Sequence, residues 1–159
     1  MPGHTRAFDA AAAFSSGSAI TVGGTQLLNA LSATISADAQ MLYWLDFQDF
    51  KARSAVRGAT PTIFGAASIA SSIDLAGAPV LSADELTLFY AQGNGTDILV
   101  STRGGKSGPF GTGVPVANVN SANEDRPVWL TRDGCVLFLS SNRPGGLGGA
   151  DIWEARRPL

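Results

Sequence analysis

The chain has little of the side-chain chemistry that enzymes most often use. Its 159 residues include one cysteine, Cys135, and one histidine, His4. A single cysteine excludes an internal disulfide framework, and with one histidine it leaves no zinc site built from those ligands. A Ser-His-Asp triad would have to draw on His4, close to a chain terminus. Charged residues make up only 15%, and the net charge is −2. That balance offers nucleic acid no basic face. No apolar run reaches the roughly 18 residues that a membrane-crossing helix needs. The opening residues do not read as a signal peptide. Asp9 stands where the apolar stretch would begin, and Ala10–Ala13 is too short to replace it. An export signal, if the protein is exported, is expected outside these residues. Cys135 adjoins Val136, Leu137 and Phe138, which predicts a small apolar packing group and not a reactive thiol.

What the chain does have is 45% hydrophobic residues, 19 glycines and 8 prolines, with the last two placed between short apolar runs. This is the composition of an all-β protein with many tight connections. An internal repeat organises it. Ser36-Ala37-Asp38, Ser82-Ala83-Asp84 and Thr131-Arg132-Asp133 place their aspartates 46 and then 49 residues apart. Five residues after each comes a hydrophobic pair: Tyr43-Trp44, Phe89-Tyr90 and Phe138-Leu139. A second register, Ile63-Phe64-Gly65 against Pro109-Phe110-Gly111, is again offset by 46. Self-similarity at this period is the signature of a propeller or solenoid.

Each copy reads as four strands. In the middle copy these are Ala78 to Leu81, Leu86 to Ala91, Thr96 to Arg103, and Val114 to about Val119. Ser82–Glu85 forms the first turn, and Gln92-Gly93-Asn94-Gly95 is a hairpin connection. Four antiparallel strands in some 46 residues have the size of one propeller blade. The second strands, Met41–Leu45 and Val136–Leu139, are apolar on both faces, as expected of a sheet covered on both sides. Tyr43, Phe89 and Phe138, with Trp44, Tyr90 and Leu139, are therefore expected between blades. Approximate repeats are 7–53, 54–103 and 104–157, each opening on the fourth strand of the preceding blade. The whole chain, 1–159, is expected to be one partial or half propeller.

The last copy carries a specific resemblance. Thr131-Arg132-Asp133-Gly134, an apolar strand, Ser141-Asn142-Arg143, a glycine loop and then Asp151-Ile152-Trp153 resemble the TolB-type WD40-like (PD40) β-propeller repeat. The middle copy keeps Asp84, Phe89-Tyr90 and Asp97-Ile98. The first keeps Asp38, Tyr43-Trp44 and, more loosely, Asp49-Phe50. The resemblance implies a non-catalytic binding module of the bacterial cell envelope or periplasm. Such a module uses no cofactor and presents its loops to a protein or peptidoglycan-associated partner. On that reading Gly93, Asn94, Asn142, Arg143 and Leu147 are the candidate binding-loop residues. Asp38, Asp84, Asp133, Asp97 and Asp151 are structural residues of the repeat, with Arg143 expected to pair with Asp151 or a neighbouring blade. Three blades leave open faces, so a homodimer forming one six-bladed ring, or partner blades within a longer polypeptide, is expected.

The competing readings are narrower. Gly104-Gly105-Lys106-Ser107 ends like a phosphate-binding loop, but Val100 stands where the leading glycine belongs and Gly108-Pro109 opens no helix. A carbohydrate-binding or hydrolytic propeller would use Trp44, Trp129, Trp153 and Glu124, the last beside Asp125. Both Trp129 and Trp153 are expected to pack between blades.

Overall fold

The computed structural model describes residues 16–74, 79–92 and 97–157, and every element among them is a strand. The Gly93-Asn94 hairpin tip, His4 and Arg6 lie outside the described residues. A short hairpin, β1 (Thr21–Val22) and β2 (Thr25–Gln26), turns on Gly23 and Gly24, both at positive φ. Glycine adopts both conformations without steric cost, which is why Gly-Gly suits this turn.

Three larger sheets follow. The first contains β3 (Ala30–Ile35), β4 (Met41–Asp46), β5 (Lys51–Val56) and β7 (Ser68–Asp74), in that order. Between the last two lies β6 (Ile63–Phe64), which pairs in parallel with β1. The second sheet contains β8 (Val80–Leu81), β9 (Thr87–Ala91), β10 (Ile98–Thr102) and β11 (Val114–Pro115). The third contains β12 (Asp125–Leu130), β13 (Val136–Ser141) and β14 (Asp151–Arg156). All three are antiparallel meanders in the order of the chain, so each is a blade. The outer edge of β14 carries no fourth strand among the described residues. Residue 53 falls within β5, so the third strand of the first blade extends three residues past that repeat boundary.

The blades share one turn between their first and second strands. Asp38 Oδ1 accepts from the backbone N–H of Gln40, Asp84 Oδ1 from Leu86 and Asp133 Oδ1 from Cys135, each at 3.0 Å. The Ser36, Ser82 and Thr131 hydroxyls donate to the same carboxylates at 2.6, 2.6 and 2.5 Å. They also accept from Met41, Thr87 and Val136 N–H, at 2.8, 2.9 and 2.9 Å. The residue after each aspartate has positive φ: Ala39, Glu85 and Gly134. A short polar side chain that satisfies the amides of its own turn explains why the Ser/Thr-x-Asp pattern recurs.

Three apolar clusters lie between these layers. Leu42, Trp44, Ala55 and Phe64 of the first blade pack on Val22. Tyr43, Leu45, Ala52 and Ala70 meet Leu88, Tyr90 and Phe110 across the first seam. Val80 and Ile98 meet Leu130, Leu137 and Leu139 across the second. Residues Leu42 to Leu45 are all buried, as a doubly covered strand requires. By contrast, β13 buries only alternate residues, because Val136, Phe138 and Ser140 face outward from the third blade. Trp129 lies on that outward face as well, 56% exposed and in contact with the Phe138 ring. Among the described residues no blade packs on Trp129, whereas Trp153 packs against the second seam.

Candidate interaction surface

The antiparallel topology gives the propeller two unlike ends. One end carries the three aspartate turns and the loops between third and fourth strands. The other carries the β4–β5 and β13–β14 connections. The two ends are chemically distinct.

At the turn end the polar groups are consumed internally. Glu85 is 1% exposed and sits in the first seam. The Tyr43 hydroxyl donates to Glu85 Oε2 at 3.0 Å and accepts from Arg103 Nη2 at 2.8 Å. Lys106 Nζ donates to Glu85 Oε1 at 2.6 Å, and Arg103 Nε to the Glu85 carbonyl at 2.8 Å. Burial raises the Tyr43 phenol above its ordinary pKa, even though Arg103 acts against it. Among the described residues no buried side-chain polar atom is left without a hydrogen bond. The Gly104–Ser107 stretch therefore supplies Lys106 to a structural ion pair, not to a phosphate.

The same holds around the third blade. Arg143 pairs with Asp125, its Nη2 lying 2.5 Å from Oδ1, and not with Asp151. It also donates to the Val119 carbonyl and the Ser141 hydroxyl, and it covers the Trp153 ring at 5.5 Å. Asp125 is fully buried, and burial raises its pKa. Hydrogen bonds from Ser141, Arg143 and Ser121 outweigh that and hold it below the usual carboxylate range. Glu124 turns away to Arg126, so the two adjacent acids form no catalytic pair. Asp151 Oδ2 accepts from Leu147 N–H at 2.9 Å, and Asn142 Oδ1 accepts from Glu124 N–H at 2.9 Å.

The registers Tyr43↔Ser54, Phe89↔Val100 and Phe138↔Glu154 put Lys51, Asp97 and Asp151 on one rung. Asp49 lies two residues off, in the β4–β5 turn, so it is not a third carboxylate of that set. Its Oδ2 instead binds Arg53 Nη2 at 2.5 Å, and Arg53 Nε also holds Asp46 Oδ2 at 3.2 Å. That clamp braces a turn with two aromatic rings at its tip. Phe47 and Phe50 are 54% and 44% exposed, with their centroids 5.2 Å apart. Phe50 has φ +56°, a conformation that a bulky residue rarely keeps unless its surroundings enforce it. Leu28 is exposed nearby, where Asn29 accepts from the Phe47 N–H at 2.8 Å. Leu147, entirely exposed, projects from the β13–β14 loop at the same end.

No protein-family model matches the chain, and no curated protein does. Among solved structures it is similar to TolB from Acinetobacter baumannii, with TM-score 0.53 and 17% identity over 80% of this chain. The fold is that of a β-propeller. The chain spans 29% of that TolB chain, so the likeness covers blades and not a whole protein.

Within the propeller, the inner strands β3, β8 and β12 line a groove of about 460 Å³, with Thr34, Leu81 and Trp129 in its walls. Of the exposed apolar residues at the loop end, Leu147 is one that the sequence singles out, and Leu28, Phe47 and Phe50 are not. Arg143 is tied to Asp125, Asn142 is exposed with its Oδ1 accepting from Glu124 N–H, and Leu147 is entirely exposed. Phe47 and Phe50 escaped the sequence reading because Asp49-Phe50 was aligned with a strand opening. The repeated Asp-Phe of Asp46-Phe47-Gln48-Asp49-Phe50 is a turn signal that would have found them.

Proposed function

We propose that the chain is a non-catalytic protein-binding module of the bacterial cell envelope, which engages its partner through the loop end of the propeller. The observation that carries this reading is the Phe47–Phe50 pair, two exposed rings on a turn braced by Arg53. Exposed aromatics on a rigid support lose little entropy on binding, and such residues dominate interface energetics. Similarity to a TolB structure supports the propeller platform; the envelope setting and the protein partner belong to this proposal. The glycan reading keeps Trp129 alone of its aromatics, since Trp44 is 2% exposed and Trp153 is covered by Arg143. We further propose that copies of the chain associate, because the third blade leaves Trp129 and Ile152 exposed on one face.

A photocrosslinker placed at Phe50 and, as a control, at Arg132 of the turn end tests the surface in cells. Crosslinks to one protein from the loop end alone support it. Equal yields from both ends contradict it.

A further inference from the structure

Blades built on one repeat present similar apolar faces, and the two seams differ sharply at one pair of matching positions. The second strand of the first blade turns Tyr43 toward its neighbour, and that of the second blade turns Phe89. At the positive-φ position of the facing turn stand Glu85 in the second blade and Gly134 in the third. Across the first seam the Tyr43 hydroxyl donates to Glu85 Oε2 at 3.0 Å, with the two residues 2% and 1% exposed. Across the second seam the same positions hold neither a donor nor an acceptor. Phe138, the third member of the Tyr43 set, has no hydroxyl, and Ala39, the remaining member of the Glu85 set, has no carboxylate. Of all the ways in which these three faces could meet these three turns, one alone joins a donor to an acceptor.

The other groups around Glu85 do not discriminate between faces. Arg103 and Lys106 follow β10 and belong to the second blade itself, so they reach the carboxylate whichever face lies opposite. Arg103 Nε donates to the Glu85 carbonyl as Arg57 Nε donates to that of Ala39, and each guanidinium covers a buried phenylalanine, Phe110 or Phe64. That part of the arrangement is common to both blades.

A wrong pairing is therefore penalised in either direction. Glu85 facing a phenylalanine loses its tyrosine donor, and Tyr43 facing a glycine or alanine turn buries a hydroxyl with no carboxylate to receive it. A buried polar group without its partner costs more than the completed pair contributes. Repeat proteins are prone to misassembly between similar units, and a buried polar contact is a known means of fixing register among apolar alternatives.

We propose that the Tyr43–Glu85 pair selects the order of the blades, admitting the first onto the second and disfavouring every other meeting of their faces, within one chain or between copies. Two double variants test this. Tyr43→Phe/Glu85→Gly gives the first seam the residues of the second, and Phe89→Tyr/Gly134→Glu gives the second those of the first. The new carboxylate has room, since a Cβ on Gly134 would meet only the Arg157 guanidinium, and its φ of +71° is close to the +64° of Glu85. Each whole chain is refolded from urea at micromolar concentration. Light scattering then measures the mass in species larger than the unmodified chain forms. Leu45→Ala loosens the first seam but keeps the pair, and so sets the misassembly that lost stability alone produces. Both double variants should exceed it at least about fivefold. The second is the sharper test, because a pin that only strengthened a seam would make refolding cleaner when duplicated. Duplication instead removes the selection, leaving Tyr43 two turns that it fits. An excess below that level in either double variant overturns the proposal.

Discussion

The Tyr43 hydroxyl and the Glu85 carboxylate meet at 3.0 Å across the seam between the first two blades. Glu85 occupies the positive-φ position of its turn, where Ala39 and Gly134 stand in the neighbouring blades. One blade thus turns a backbone requirement into an inter-blade pin, with Arg103 and Lys106 completing it. Tyr43→Phe leaves the carboxylate buried and short of a donor, so it should cost about 1–3 kcal/mol in chemical denaturation. A cost near zero would show that the pin contributes nothing.

The turn aspartates make stability depend on acid. Hydrogen bonds from Ser36 and Gln40 lower the Asp38 pKa, those from Ser82 and Leu86 lower Asp84, and those from Thr131 and Cys135 lower Asp133. A carboxyl depressed in the folded state stabilises it above the unfolded value near 3.9, and that contribution is lost as pH falls through the folded value. Denaturation midpoints should therefore be flat from about pH 7 to pH 5 and drop below about pH 4. In Asp84→Asn part of that drop should disappear.

The two seams should respond differently to truncation. Phe110→Ala removes a buried ring from a packed seam and should cost about 3–5 kcal/mol. Phe89, only partly buried, should cost less, about 1–2 kcal/mol on replacement by alanine. Urea titrations of the two variants compare them directly, and equal costs would mean that the second seam is as tightly packed as the first.

Arg143→Ala strips the buried Asp125 of its cation and should destabilise the chain by about 3 kcal/mol. Leu147→Ser, four residues on in the same loop and fully exposed, should change stability by less than about 0.5 kcal/mol. Thermal melts would separate the two. A large loss in Leu147→Ser would mean that this side chain is not free.

The blades were legible in the sequence because each Ser/Thr-x-Asp turn satisfies its own amides locally, so its pattern survives without reference to distant residues. The 46-residue offset between Phe64 and Phe110 was legible for a similar reason: an identical socket needs an identical ring. The ion pairs were not. Arg143 was expected near Asp151 or a neighbouring blade; the chain brings Asp125 to it from the first strand of its own blade, and the Val119 carbonyl from the segment after β11. The aromatic tip at Phe47 and Phe50 was also hidden. Two residues of register separate Asp49 from the rung occupied by Asp97 and Asp151, and spacing alone does not resolve a shift of two.

The most direct test of the proposed function is a titration of the purified crosslinked partner against three chains. These are the unmodified protein, the double variant Phe47→Ser/Phe50→Ser, and Arg132→Ala at the opposite end. Loss of both rings should weaken binding at least tenfold, while Arg132→Ala should leave it unchanged. Equal affinity of all three chains would contradict a binding surface at the loop end.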